Sequence, residues 1–256
     1  MVLVKHHGKD FTLLTHNIGS SLPQNIKPTW KFYKNASAEI LCFQEWHNGS
    51  PIKSIQDSIG KYYHSTETSV PNPWPIFTKY PILNSGELRS KAKGNGCTWA
   101  DIALPKDTIR VYNVHLASNR ISEQTESIMN NPNLKSKNLW TKIKRIFYRY
   151  RSSARIRADQ AEDILAHTSR SPFPFIVAGD FNDIPSSFVY RILASRMEDA
   201  FVQSANGMAY TYAGKLPFLH IDQILMSPHL LASNTYVSRV KYSDHFPVIA
   251  DIFIKE

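Results

Sequence analysis

Cysteine is almost missing from this chain. Its two residues, Cys42 and Cys97, exclude a disulfide framework and leave no Cys-rich spacing for a metal. Cys42, inside Ile40-Leu41-Cys42-Phe43, reads as a small buried hydrophobe, and the redox compartment stays open. No stretch approaches the roughly 20 uninterrupted apolar residues that a membrane-crossing helix requires. The start, Met1-Val2-Leu3-Val4-Lys5-His6-His7, lacks the apolar centre of a signal peptide. Internal repeats, low-complexity tracts and Gly/Ser linkers are also missing, which argues one domain over residues 1–256. What remains is the composition of an ordinary globular protein: 42% hydrophobic, 12% aromatic and 20% charged.

Acidic residues are missing from one stretch in particular. Between Lys135 and Arg157 there are nine Lys or Arg and no Asp or Glu, while the whole chain carries a net charge of +9. Those nine charges account for the entire excess, so the basicity is one local patch.

Short apolar runs with β character recur along the chain: 11–17, 39–44, 98–104, 109–115, 175–180, 221–226 and 248–253. Pro105-Lys106-Asp107-Thr108 has turn chemistry and makes the third and fourth runs a hairpin. Helical patterns fall at about 50–60, 138–168 and 186–195. Strands mixed with helices, with a hairpin among them, predict an α/β layered domain.

Several of these runs finish in the same kind of residue. Asn17, Gln44-Glu45, His115, Asp180 with Asn182, Asp222 and Asp244-His245 all stand at or just beyond apolar segments. Each has an ordinary explanation by itself: a surface carboxylate, a helix N-cap, a structural histidine. Repetition of one pattern across these six segments strains those explanations. A hard divalent cation prefers carboxylate oxygens, and phosphoester hydrolysis needs a base for water and donors for charge developing at phosphorus.

The segments Leu14-Thr15-His16-Asn17, Cys42-Phe43-Gln44-Glu45, Asn113-Val114-His115-Leu116, Gly179-Asp180-Phe181-Asn182, Ile221-Asp222-Gln223-Ile224-Leu225 and Ser243-Asp244-His245-Phe246-Pro247-Val248 resemble the endonuclease/exonuclease/phosphatase superfamily, in order and spacing. The resemblance spans residues 14 to 248, and the stretch from Asp180 to Arg191 looks closest to uncharacterised bacterial members. It implies a four-layered α/β sandwich of the DNase I-like kind, two packed mixed β-sheets flanked by helices, with the site where strand ends converge. It also implies Mg²⁺ or Mn²⁺ as cofactor, held chiefly by Glu45 with Asn17 beside it and Asp244 in support. Asp180 would help activate water, Asn182 would contact phosphate and His115 would aid the phosphate or leaving group. His245 would position the phosphate or move a proton, its ring fixed by Asp222. Two departures stand out. Gly19 occupies a position that is acidic in some DNA-repair members, and Pro73 to Pro81 forms a rigid aromatic stretch suited to a substrate rim or to core cover.

The basic stretch is read as a helical insert at about 119–158. Leu139, Ile143, Ile146-Phe147, Tyr150 and Ala154 recur at helical spacing and give it one apolar face. It is a surface helix with a solvated side, a platform for nucleic-acid phosphate or an anionic membrane surface, or a lid. On the platform reading, Arg145, Arg149 and Arg151 bind substrate. The sequence thus predicts a metal-dependent phosphoesterase acting first on nucleic acid, with a phospholipid or phosphorylated small molecule next and a catalytically inactive phosphate-binding module as the competing class. No protein partner is evident. The compartment is unknown; the chain reads as soluble, and its abrupt start suits a catalytic domain cut from a membrane-anchored bacterial protein.

Overall fold

The computed structural model describes residues 9–19, 27–46, 58–59, 61–66, 73–89, 95–118, 137–205, 207–214 and 218–255. Within these, the side chains of 27–28, 137–140, 142–143, 145–147 and 149 lie outside the description. In chain order the described elements are β1 (Phe11–Asn17), α1 (Lys27–Ala36), β2 (Ile40–Gln44), β3 (His64–Ser65), β4 (Ile76–Thr78), β5 (Ile82–Arg89), β6 (Gly96–Ala103) and β7 (Thr108–His115). They continue with α2 (Lys137–Thr168), β8 (Phe175–Asp180), α3 (Phe188–Ala194), β9 (Glu198–Asp199), α4 (Ala200–Ser204), β10 (Asp222–Met226), β11 (Leu230–Val237) and β12 (Val248–Ile254).

The strands form two six-stranded sheets, ordered β11-β12-β1-β2-β4-β3 and β5-β6-β7-β8-β10-β9. Each is mixed: β1 and β2 run parallel in the first, β7 and β8 in the second, and the other pairs are antiparallel. Alternation along the strands builds the layers. Phe11, Leu13, Ile40, Cys42, Val111, Ile176, Ala178, Ile224, Val248 and Ala250 point between the sheets and form the central core. Leu14, Leu41 and Phe43 face outward with Tyr33 of α1, whereas Tyr112, Val114, Val177 and Leu225 face outward with Ala161 and Ile164 of α2 and Val189 and Leu193 of α3. The architecture is therefore the expected four-layered sandwich.

Local chemistry places the helices. Ser187 caps α3 by accepting from Tyr190 N, and Asp199 caps α4 by accepting from Phe201 N and Val202 N. On α2 the buried positions Arg157, Gln160, Ala161, Ile164 and Thr168 recur every three or four residues along one stripe. The basic stretch from Lys137 is the first half of this same helix, while 119–136 lie outside the described residues. The helix expected at 50–60 is described only at 58–59, which are helical. No described helix is long and apolar enough to cross a membrane.

Seven described elements have no counterpart in the sequence reading: α1, β3, β4, β5, β9, α4 and β11. Helix α1 carries Pro28 in its first turn, a position proline tolerates. Strand β5 contains Gly86, paired with Trp99; a Cβ there would lie 2.9 Å from the indole, so the missing side chain is what admits the ring. Strand β11 is interrupted by a register shift between Ala232 and Asn234. Trp74, from the proline-rich stretch, is buried with its ring against Gly96 and covers core rather than forming a rim.

Candidate active site

Strand register assembles the acidic residues. In the second sheet His115 pairs with Asp180 across the parallel β7–β8 ladder, and Asp222 pairs with Asp180 across the antiparallel β8–β10 ladder. Three titratable side chains therefore stand side by side at one sheet end. In the first sheet Asn17 pairs with Gln44 at the ends of β1 and β2, with Glu45 next. The two sheets bring these ends together: Asn17 Nδ2 donates to Glu45 Oε1 at 3.2 Å and to Asp180 Oδ2 at 3.0 Å.

Backbone conformation is specialised here. Gly179 has φ +141°, and a Cβ on it would lie 2.0 Å from Val114 O, so only glycine lets β8 approach β7 this closely. Glu45 and Asn182 are both left-handed, at φ 57° and 50°. Asparagine tolerates that region, but for glutamate it costs on the order of 1–2 kcal/mol. The strain turns the chain sharply at the end of β2.

The buried groups are only partly satisfied. Asp180 Oδ1 accepts from Asn182 N at 2.7 Å, and Oδ2 also accepts from Asn182 Nδ2 at 3.1 Å. His245 Nδ1 lies 2.9 Å from Asp222 Oδ2, which directs Nε2 toward Asp180 Oδ2 at 3.8 Å. His115 Nε2 stands 3.7 Å from Asp180 Oδ2 and 3.8 Å from Glu45 Oε1. Both His115 nitrogens are buried without a hydrogen-bond partner among the described residues. Leaving such groups unmatched is costly, and a site that binds a polar ligand explains it. The Glu45 side chain keeps 33% of its exposure.

Charge follows from burial and neighbours. Burial is the largest influence on Asp180 and raises its pKa, with Asp222 adding to it; His245, His115 and Asn17 oppose the shift. For His245 burial favours the neutral ring, but Asp222 and Asp180 outweigh it and raise the pKa to about 10. The two carboxylates thus favour the charged form of the His245 ring. Asp180, Asp222 and His245 offer ligand atoms that all lie within 4.8 Å of one another, a group able to hold a metal ion.

Some expected residues stand apart from this knot. Asp244 is exposed beside His245, with its backbone carbonyl accepting from Ala213 N at 2.7 Å. Asn182, by contrast, belongs to the knot through both Asp180 oxygens and donates through Nδ2 to Leu116 O at 3.0 Å as well. Arg151 is exposed on α2, next to Tyr150, whose hydroxyl donates to Asp183 Oδ1 at 3.4 Å. The side chains of Arg145 and Arg149 lie outside the described residues.

Supporting residues were not read from the sequence. Ser243 Oγ donates to Asn17 O at 2.7 Å and accepts from His245 N at 2.9 Å, tying the last motif to β1. His16 bridges Tyr33 Oη at 2.6 Å and His245 O at 3.1 Å; burial lowers its pKa to about 3 and keeps it neutral. Thr211 Oγ1 accepts from Asp222 N, and Tyr212 meets the His245 ring edge-on at 5.4 Å. His16 and Ser243 sat inside recognised motifs and could have been flagged; Tyr33 and Thr211 carry no local signal.

A family model described as "Endonuclease/Exonuclease/phosphatase family" matches residues 14–245. A search of curated protein sequences gives no match. Among solved structures, an endonuclease/exonuclease/phosphatase from Bacteroides vulgatus is 19% identical, covers 96% of this chain and 99% of its own, and superposes with a TM-score of 0.71. A humanized D. rerio TDP2 is 13% identical over 95% of this chain and 98% of its own, with a TM-score of 0.70. A mannosyl-6-phosphatase from Bacteroides thetaiotaomicron is 17% identical over 95% and 100%, with a TM-score of 0.66. At these identities the likeness establishes the fold and leaves the substrate open.

Proposed function

Because the chain belongs to the endonuclease/exonuclease/phosphatase family, we propose that it is a divalent-metal-dependent phosphoesterase, with nucleic acid as its substrate. The observation that carries this reading is the buried meeting of Asp180, His115 and His245 beside Glu45, whose polar atoms stand 3.7–3.8 Å apart rather than bonded. Such spacing suits groups that contact a phosphate between them.

The donors fit a hard cation: the Glu45 and Asp180 carboxylates are oxygen ligands, Asn17 Nδ2 orients both while its own amide oxygen accepts from Gly19 N at 3.0 Å, and the unmatched His115 nitrogens mark a place for a polar ligand. Glu45 and Asp180, with Asp244 adding negative charge nearby, would hold Mg²⁺ or Mn²⁺, which when bound would supply positive charge to offset the phosphate and to make a water easier to deprotonate. The side chains supply the rest. His245, favoured in its charged form, presents Nε2 to a phosphate oxygen while Asp222 fixes its ring. Asp180, whose pKa burial raises, accepts a proton from the attacking water. Asn182 orients Asp180 and reaches toward the phosphate, and His115 donates to the phosphate or the departing oxygen.

Nucleic acid is favoured by the eight Lys and Arg from 135 to 155, which give a sequence-independent attraction for phosphate backbones through residues such as Arg145, Arg149 and Arg151, whereas the ninth, Arg157, is buried against Asp183. D. rerio TDP2, a structural relative, has been solved with a single strand DNA product. A second reading is a phosphorylated small molecule, favoured by the mannosyl-6-phosphatase relative. EDTA-sensitive cleavage of labelled single- and double-stranded oligonucleotides, lost in Asp180→Asn, is the expected result. A folded, metal-loaded protein that leaves oligonucleotides intact sinks the nuclease reading and directs the assay to phospholipids and sugar phosphates. Tight phosphate binding without turnover of any of them supports an inactive binding module.

A further inference from the structure

The layer immediately beneath the site is polar, although the layers below it are aliphatic. Residues 111, 113 and 115 share the inward face of β7, and 40, 42 and 44 share the inward face of β2. Val111 and Cys42 belong to the central core. One step nearer the site, Asn113 and Gln44 replace them, both at 0% exposure. Gln44 Nε2 donates across the sheets to Asn113 Oδ1 at 2.6 Å and within its own sheet to Thr15 Oγ1 at 3.0 Å. Asn113 Nδ2 returns across the gap to Phe43 O at 2.7 Å and Pro75 O at 2.9 Å. One residue beyond Gln44 is Glu45; two beyond Asn113 is His115.

We propose that the Gln44–Asn113 bridge is a positioning device that sets the separation of Glu45 on one sheet from His115 and Asp180 on the other. This rests on the function proposed above. For the bond between them, aliphatic side chains at both places would be nearly neutral, since both of its partners are exchanged for apolar groups, while Thr15 Oγ1, Phe43 O and Pro75 O would each lose a donor. Aliphatic side chains would not fix a distance: dispersion contacts let packed sheets slide, whereas a bond of 2.6 Å with a directional requirement does not. The bridge also stiffens the strained turn at Glu45, because Asn113 holds the Phe43 carbonyl two residues before it, and Ile18 N binds the Gln44 carbonyl. Gln44 and Asn113 touch no substrate; they act through Glu45 and His115.

The test uses Gln44→Met, Asn113→Leu and the double variant of the full chain. Three quantities are read: melting temperature, Mn²⁺ affinity of the metal-free protein by calorimetry, and kcat and KM on bis(4-nitrophenyl) phosphate. In Gln44→Met the expected result is an affinity for Mn²⁺ and a kcat each lower by roughly 10- to 100-fold, with KM changed much less. Asn113→Leu should do the same, and the double variant should melt no lower than Asn113→Leu yet recover neither affinity nor kcat. A folded Gln44→Met that binds Mn²⁺ and turns over within about twofold of the parent overturns the proposal, even if Asn113→Leu fails to fold. A parent chain that hydrolyses nothing strikes the proposed function instead, and the Mn²⁺ titration still judges the bridge.

Discussion

Strand β7 carries two buried polar assemblies on its opposite faces, and they are built by opposite rules. On the outer face Arg110 donates through Nε and Nη2 to Asp101 at 2.6 and 2.8 Å, with its guanidinium 4.4 Å from the centre of the Trp99 ring. Tyr112, two residues on, bonds His167 Nδ1 at 2.8 Å. On the inner face His115 has no hydrogen-bond partner among the described residues and stands 3.7 Å from the nearest carboxylate oxygen. The outer assembly is closed: every strong donor named has met its acceptor, and the cluster fastens α2 to the sheet. The inner one is held open, with its backbone strained at Glu45 and its charges kept slightly apart. A buried ionic group that is fully matched supports the fold, whereas one that is not marks where a ligand completes the match.

That contrast can be broken by mutation. His115→Gln should lower phosphoester hydrolysis by about 10²- to 10⁴-fold while the melting temperature moves by no more than a couple of degrees, because no protein bond is lost. Asp101→Leu should do the reverse. It strands the Arg110 charge and should lower the unfolding free energy by about 3–5 kcal/mol in chemical denaturation, with turnover per folded molecule unchanged. If Asp101→Leu instead cost activity at full stability, the distinction between the two faces would fail. Arg151→Glu, on the exposed side of α2, should leave stability alone and reduce the salt dependence of oligonucleotide binding by about one unit of slope, measured by titration at several salt concentrations. The smallest effect belongs to Asp251, far from both assemblies. Burial alone would raise its pKa, but hydrogen bonds from Thr12 and Asn234 and the nearby Lys9 charge hold it below the usual carboxylate range. A lowered carboxyl pKa stabilises the fold above the unfolded value of about 3.9 and loses that contribution as pH falls through the folded value. Asp251→Asn should therefore melt slightly lower than the parent at neutral pH, and the gap should close in acid.

Much of this was legible in the sequence because it is local. Runs such as Phe175–Asp180 and Phe11–Asn17 announce a strand by β-branched and aromatic content and announce the site by the polar residue that ends them. Family resemblance supplied the layered architecture. The structure then placed Asn17, Glu45, His115, Asp180, Asp222 and His245 at one end of the two sheets. What stayed hidden depends on distance along the chain. The bridge from Gln44 to Asn113 joins residues 69 apart, and that from Ser243 to Asn17 spans 226. Strand β5 was missed because Gly86 is a poor strand former until the Trp99 ring lies over it, and α1 because its apolar face is chiefly aromatic. The helical pattern read at about 138–168 matches α2, where the buried stripe of Arg157, Gln160 and Ile164 follows the basic stretch on the same helix.

The most direct test of the central claim is hydrolysis of bis(4-nitrophenyl) phosphate by metal-stripped protein as Mg²⁺ or Mn²⁺ is added back, with Asp180→Asn assayed beside the parent. The account predicts no hydrolysis without metal, recovery on adding it to the parent, and a rate lower by at least about 10²-fold in the variant at every concentration. Hydrolysis that survives metal removal, or a variant as fast as the parent, would contradict it.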